Sequence, residues 1–353
     1  MKKIGILLNE PVPKTLTKVF RGMLTGILDG VGSSNAVIID TNNGKKIKNL
    51  LNRDDAEIMH ITWQDGYDWS DYESMVKEKL SQFELLIVVA CAYRDNVYDC
   101  DSHKLVDLFE GHLQNGDYTC YTKFVSTRKM LERYMIYKQF KDRKIIHYCL
   151  DPRECISTDV INHGFCVFFA NKGDWEHAPT FEMSLFEDVK QQEKTTDFVF
   201  YGTAITQYRS YLLDYEDTLK NIRNSDVRIV RVVQRDGVTQ DQYYDKLSRS
   251  KFTLVIPSYD VTTFSVSRFI EAIARQCLPL ILDRVDLTDI KNTFPDLYDI
   301  MTKYLVVSID GIQEKIDSID REALLNTIMN CQTVKNWQDI EYYKQRWSYL
   351  INK

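Results

Sequence analysis

Short apolar runs alternate along this chain with longer stretches of helical periodicity, and they do so twice. The first set of runs covers residues 3–8, 36–39, 57–61, 84–90, 144–150 and 165–169. Between the first two lies TLTKVFRGMLTGIL, in which Leu16, Phe20, Met23 and Ile27 fall on one helical stripe. The second set covers residues 198–201, 227–233, 252–256, 278–282 and 304–307, with helical patterns at 207–222, 240–248, 265–275 and 321–329. Continuous apolar strands separated by amphipathic helices build a parallel sheet covered on both faces. The expectation is therefore an α/β chain with two Rossmann-like doubly wound domains facing across a cleft. Ligands of such sheets bind outside the carboxyl ends of the strands.

The boundaries follow from where the rhythm pauses. Residues 1–170 form the first domain. Residues 171–196 are polar and acidic and read as a linker, and 197–334 form the second domain. Residues 335–353 read as a terminal helix with Trp337, Ile340, Tyr343, Trp347 and Leu350 at helical spacing. That stripe is too apolar for a free tail and is expected to pack back on the body, toward the first domain.

Composition narrows the class. The 353 residues are 44% hydrophobic and 27% charged, with 14 Gly and 7 Pro, as in a globular protein without long flexible linkers. The opening MKKIGILLNEPVPKTL has too short an apolar run for a signal peptide and reads as a first strand. No run approaches the 18 apolar residues of a membrane helix, so no membrane partner is expected. The eight cysteines include no C-x-x-C pair and the six histidines no H-x-x-x-H spacing. Reduced thiols in a cytoplasm are expected, and no structural metal site. Neither G-x-x-x-x-G-K-[ST] nor G-x-G-x-x-G occurs, which argues against a P-loop ATPase or a standard dinucleotide oxidoreductase. The net charge of −6 argues mildly against a polyanion partner, yet residues 118–144 carry eight basic residues against two acidic ones.

Several residues are candidates for chemistry. In YGTAITQYRSYLL a strand is expected to turn at Gly202 into a helix carrying Arg209. In IPSYDVTTFSVSRFIEAIARQCLPLIL a strand ends, a Ser/Thr-rich loop containing Ser258 follows, and a helix starts near Ser265. A helix amino terminus with Arg268, helped by Arg209, suits a diphosphate. Glu271, three residues after Arg268, can accept bonds from both hydroxyls of a ribose. Arg and Glu at this spacing also form ordinary surface pairs. In RKIIHYCLDPREC a core strand delivers Asp151 at its carboxyl end. Asp151 is placed as a general base toward an acceptor hydroxyl, with Arg153 to keep it ionised. Asp-Pro is equally a common turn starter.

The segments KKIGILLNE, FELLIVVA, RKIIHYCLDPRE, DFVFYGTAITQYRS, FTLVIPSYDVTTFSVSRFIEAIARQCLPLILD and KNWQDIEYYKQRW occur in the order and spacing of a known family. The chain resembles glycosyltransferases of the GT-B type, and within them the DNA β-glucosyltransferases of T-even bacteriophages. The resemblance implies Asp151 as catalytic base, with Arg153 matching an arginine two positions on. It implies Arg209 and Arg268 on the diphosphate and Glu271 on the ribose of a UDP-sugar. The reaction it implies is inverting transfer to a hydroxymethyl group on a pyrimidine of double-stranded DNA. No tightly bound cofactor is implied, and a divalent cation, Mg²⁺ or Mn²⁺, is compatible with substrate phosphates. The chain departs from the family in the 258–263 loop, in the 10–16 loop and in its acidic net charge. A monomer in the cytoplasm of an infected bacterial host is expected. Lys123, Arg128, Lys129 and Arg133 are the expected DNA contacts, because a base flipped toward a deep aspartate needs phosphate contacts at the rim. A non-DNA acceptor and a non-catalytic nucleotide-binding module remain as alternative readings.

Overall fold

A computed structural model describes residues 3–8, 17–41, 47, 51, 53–62, 68–90, 135–136, 139–140, 143–149, 175–176, 186, 189, 192–204, 211–230, 238–257, 264 and 266–352. The chain divides into two compact units. One comprises residues 1–13, 20–181 and 340–353, and the other residues 14–19 and 182–339.

The first unit is built on a parallel sheet of β1 (Ile4–Leu8), β2 (Ala36–Asp40), β3 (Glu57–His60), β4 (Leu85–Ala90), β5 (Lys144–Cys149) and β6 (Trp175–Glu176). Their spatial order is β3-β2-β1-β4-β5-β6, so the direction of winding reverses between β1 and β4. Every residue of β2 is buried, as are Leu85, Leu86, Ile87 and Val89 of β4. Such unbroken burial is what a parallel strand covered on both faces requires. β6 lies inside the segment expected to be a linker, where two residues pair with His147 and Tyr148. The expected strand at 165–169 lies outside the described residues.

Helix α1 (Thr17–Val31) buries Leu24, Ile27 and Leu28. Helix α2 (Trp69–Leu80) buries Tyr72, Val76 and Leu80, spaced four apart on one face. It opens on a reciprocal cap, in which Asp71 N–H donates to Asp68 Oδ1 at 2.9 Å and Asp68 N–H to Asp71 Oδ2 at 3.2 Å. Past its end, Arg143 Nη1 donates to the carbonyls of Leu80 at 2.8 Å and Phe83 at 2.7 Å. A cation on these carbonyls complements the helix dipole.

The second unit carries β7 (Thr196–Thr203), β8 (Ser225–Val230), β9 (Ser250–Val255), β10 (Leu278–Leu282) and β11 (Val306–Val307). These are also parallel, in the order β11-β10-β9-β7-β8, with the reversal between β7 and β9. Helix α3 (Gln240–Arg249) precedes β9, helix α4 (Val266–Ala274) precedes β10, and helix α5 (Arg321–Asn330) follows β11. The expected helix at 207–222 is split at Tyr215 into Tyr211–Asp214 and Glu216–Lys220. Lys194 ties the chain that enters β7 to this unit. Its Nζ donates to the carbonyls of Ser248 and Arg275 at 2.8 Å each, at the carboxyl ends of α3 and α4.

The terminal segment differs from its expectation. A short helix, Gln332–Asn336, is followed by a break at residues 337–339 and then by α6 (Ile340–Asn352). Trp337 packs edge-on to Phe294 in the second unit, with ring centroids 5.4 Å apart. Tyr343, Trp347 and Leu350 are buried in the first unit. The aromatic stripe therefore serves two cores. Helix α6 meets α1 at a glycine: a Cβ added to Gly30 would lie 2.3 Å from Cδ1 of Trp347.

Candidate functional site

The candidate residues that the structure describes lie in the second unit. Helix α3 begins with Thr239 as its cap. Gln242 N–H donates to Thr239 Oγ1 at 3.2 Å, and Thr239 N–H donates to Gln242 Oε1 at 2.9 Å. This fixes the first turns, from which Tyr243 and Tyr244 are buried at 8% and 5% exposure. Helix α4 follows the carboxyl end of β9, beside the winding reversal where doubly wound sheets bind ligands. Phe269, Ile270 and Ile273 of α4 are fully buried. Arg268, Glu271 and Arg275, spaced three and four apart, share another helical face and meet the tyrosines of α3.

Glu271 is only 3% exposed. A carboxylate so buried needs partners, because desolvating an unpaired charge costs several kcal/mol (about 3–5 when one partner is removed). Tyr244 Oη donates to Glu271 Oε1 at 2.9 Å, and Arg268 Nη1 donates to Oε2 at 3.0 Å. The Tyr244 hydroxyl itself accepts from Gln240 Nε2 at 2.7 Å. Arg275 stacks on the Tyr244 ring, with its guanidinium carbon 3.5 Å from the centroid, and donates from Nη1 to the Glu271 carbonyl at 3.1 Å. Burial, together with the Glu271 carboxylate, holds the Tyr244 hydroxyl above the ordinary tyrosine range, so it remains a donor. Burial likewise pushes Tyr243 up to about 12. The Arg268 guanidinium lies 4.7 Å from the Tyr243 centroid, and about half of its side chain (51%) is in solvent. The result is a rigid buried carboxylate next to a half-exposed cation, a combination suited to a polyol and an adjacent anion.

The pair is thus a buried carboxylate with a half-exposed arginine, not an ordinary surface ion pair. Gly202 also differs from its expectation. The strand runs through Gly202, paired in register with Ile229, to Thr203, and Ala204 N–H still donates to the Val230 carbonyl. The chain does not turn at this glycine. A Cβ there would lie 2.6 Å from the Phe200 ring, so glycine leaves room for that ring.

Asp151, Arg153, Arg209, Ser258 and Ser265 lie outside the described residues, as do Lys123, Arg128, Lys129 and Arg133. β5 ends at Cys149, two residues before Asp151. Of the expected basic segment, the exposed Arg143 donates to the Leu80 and Phe83 carbonyls, and Phe140 is fully buried. Tyr244, Gln240 and Arg275 were not legible as site residues. Tyr244 reaches Glu271 from another helix, 27 residues away in sequence. The only local hint is the spacing of four between Glu271 and Arg275.

No family model matches the chain, and no curated protein matches it in sequence. Solved structures do match in fold. HepE of Anabaena in complex with UDP-glucose is similar at a TM-score of 0.54 and 8% identity, over 99% of this chain and 99% of that one. A trehalose-6-phosphate protein of E. coli bound with UDP-2-fluoro glucose is similar at 0.50 and 10% identity, again over 99% of each chain. The α,α-trehalose 6-phosphate synthase of Burkholderia multivorans is similar at 0.50 and 9% identity, over 100% of this chain and 98% of that one. Two doubly wound parallel sheets in one chain, matched from end to end by these proteins, give this protein the GT-B fold.

Proposed function

We propose that the protein is a glycosyltransferase that moves a sugar from a UDP-sugar to a hydroxymethyl group on a pyrimidine of double-stranded DNA, with inversion. The observation that carries the donor half is the buried Glu271 carboxylate, fixed by Tyr244 beside the half-exposed Arg268, at the carboxyl edge of the second sheet. Glu271 takes the ribose, and Arg268 takes the diphosphate together with Arg209 and the backbone around Ser258 and Ser265. The fold supports this reading, since HepE and the E. coli protein hold UDP-glucose and UDP-2-fluoro glucose. Negative charge grows on the departing diphosphate, so cations placed there stabilise the transition state more than the ground state. A divalent cation on the same phosphates would act in the same sense.

On the acceptor side, Asp151 removes the hydroxyl proton as the oxygen attacks the anomeric carbon, and Arg153 keeps the carboxylate ionised. The DNA reading rests on the resemblance and on Lys123, Arg128, Lys129 and Arg133. The net charge of −6 favours a second reading, in which the same donor chemistry serves a small-molecule, glycan or protein acceptor. The test is mass spectrometry of nucleosides from hydroxymethylated DNA after incubation with a panel of UDP-sugars. A hexose or pentose mass on the pyrimidine is the expected result. Slow UDP release without DNA modification would move the acceptor elsewhere, and UDP binding without any turnover would make the chain a binding module.

A further inference from the structure

We infer that Arg268 is a displaceable cover on Glu271, which makes the site select a nucleoside diphosphate over the bare nucleoside. This rests on the reading of Glu271 as the ribose residue and Arg268 as the diphosphate residue.

The two oxygens of Glu271 are held differently. Oε1 receives the Tyr244 hydroxyl, which itself accepts from Gln240, while Arg275 stacks on the Tyr244 ring. Tyr244 is 5% exposed, so this side cannot open without disturbing the packing between α3 and α4. Oε2 receives Arg268, whose side chain is 51% exposed while that of Glu271 is 4% exposed. The more exposed partner is therefore the arginine. A ribose hydroxyl that takes the place of Arg268 at Oε2 moves the guanidinium off it.

That exchange has unequal consequences for different ligands. A nucleoside diphosphate gives the displaced guanidinium a new anionic partner, so one charge-assisted bond replaces another. A bare nucleoside gives it none, while either ligand shifts Arg268 against the Tyr243 ring, 4.7 Å from the guanidinium carbon. The ion pair thus opposes nucleoside binding, and an arriving phosphate compensates its loss directly. Discrimination of this kind comes from an interaction broken by the wrong ligand, not from a contact added for the right one.

The inference predicts opposite signs in one variant. Arg268→Met keeps an unbranched apolar stem against Tyr243 and removes the guanidinium. Calorimetry with uridine and UDP on the wild type should show UDP bound far more tightly. In Arg268→Met, UDP should bind roughly 10–100-fold more weakly, through loss of a charge-assisted bond. Uridine should bind roughly 3–10-fold more tightly, through loss of the competing pair. Should that variant fail to fold, Arg268→Lys keeps the charge without the planar fork and should shift uridine in the same direction, by less. Unchanged or weakened uridine binding beside weakened UDP binding overturns the cover and leaves the proposed function standing. A wild type that binds neither ligand overturns both.

Discussion

The contact between α1 and α6 offers a test of the packing that returns the terminal helix to the first unit. Glycine inside a helix is ordinarily a weakness, and replacing it with alanine gains about 0.5–1 kcal/mol. At Gly30 the sign should reverse. The added Cβ would sit 2.3, 2.8 and 3.0 Å from Cδ1, Cγ and Cβ of Trp347, where carbon atoms prefer about 3.5–4.0 Å. These are the root atoms of the indole, and Trp347 is fully buried, so the ring cannot swing clear. Helix α6 has to shift as a body. Overpacking of this kind costs about 1–3 kcal/mol, which leaves a net loss of up to about 2.5 kcal/mol after the helix-propensity gain. Two units need not unfold together, so hydrogen exchange of peptides from residues 17–31 and 340–352 is a better assay than one melting temperature. Protection should fall in both peptides. In a Trp347→Leu background the same Gly30→Ala change should become neutral or stabilising, because the methyl group now has room. A Gly30→Ala protein that is stabilised on its own, or equally destabilised in both backgrounds, would falsify the close contact.

Asp151→Ala should leave UDP binding near intact and lower turnover by roughly 10²–10⁴, the usual contribution of a general base; single-turnover kinetics with UDP-sugar reads it, and near wild-type turnover refutes the assignment. Tyr244→Phe removes a buried hydroxyl bonded to the Glu271 carboxylate and should destabilise the second unit by about 1.5–3 kcal/mol in denaturant unfolding. A cost within experimental error would mean that Glu271 does not depend on it. The Cys277 thiol is fully buried and pushed up to about 12, and that of Cys331 to about 11, both by burial. Thiolate is the reactive form and is scarce below those values, so peptide mapping after alkylation of the native protein at pH 8 should find both unmodified; rapid labelling of Cys277 would show that β10 opens locally.

How much was legible in advance differs by element. The strands at residues 278–282 and 85–90 announced themselves, because a parallel strand buried on both faces reads as an unbroken apolar run. Helix α4 was equally clear, and so was the spacing of Arg268 and Glu271 within it, since helical periodicity depends only on near neighbours. The break at residues 337–339 was not, because no glycine or proline marks it and the aromatic stripe keeps its period across it. Nor was β6, since two residues carry no periodicity.

The site shows the same division more sharply. Sequence placed an arginine and a glutamate three residues apart and near the start of a helix. It could not show that the glutamate is buried, that a tyrosine from another helix holds it, or that Gly202 continues a strand instead of turning it. Arg143 was one more charge in a basic run until the fold set it on the carbonyls of Leu80 and Phe83, more than fifty residues away. Periodicity and turn chemistry are local, and they determined which segments become strands and helices. Which side chains meet depends on sheet order and on the path of each crossover, and those are decided only when the apolar faces of distant segments are buried against one another.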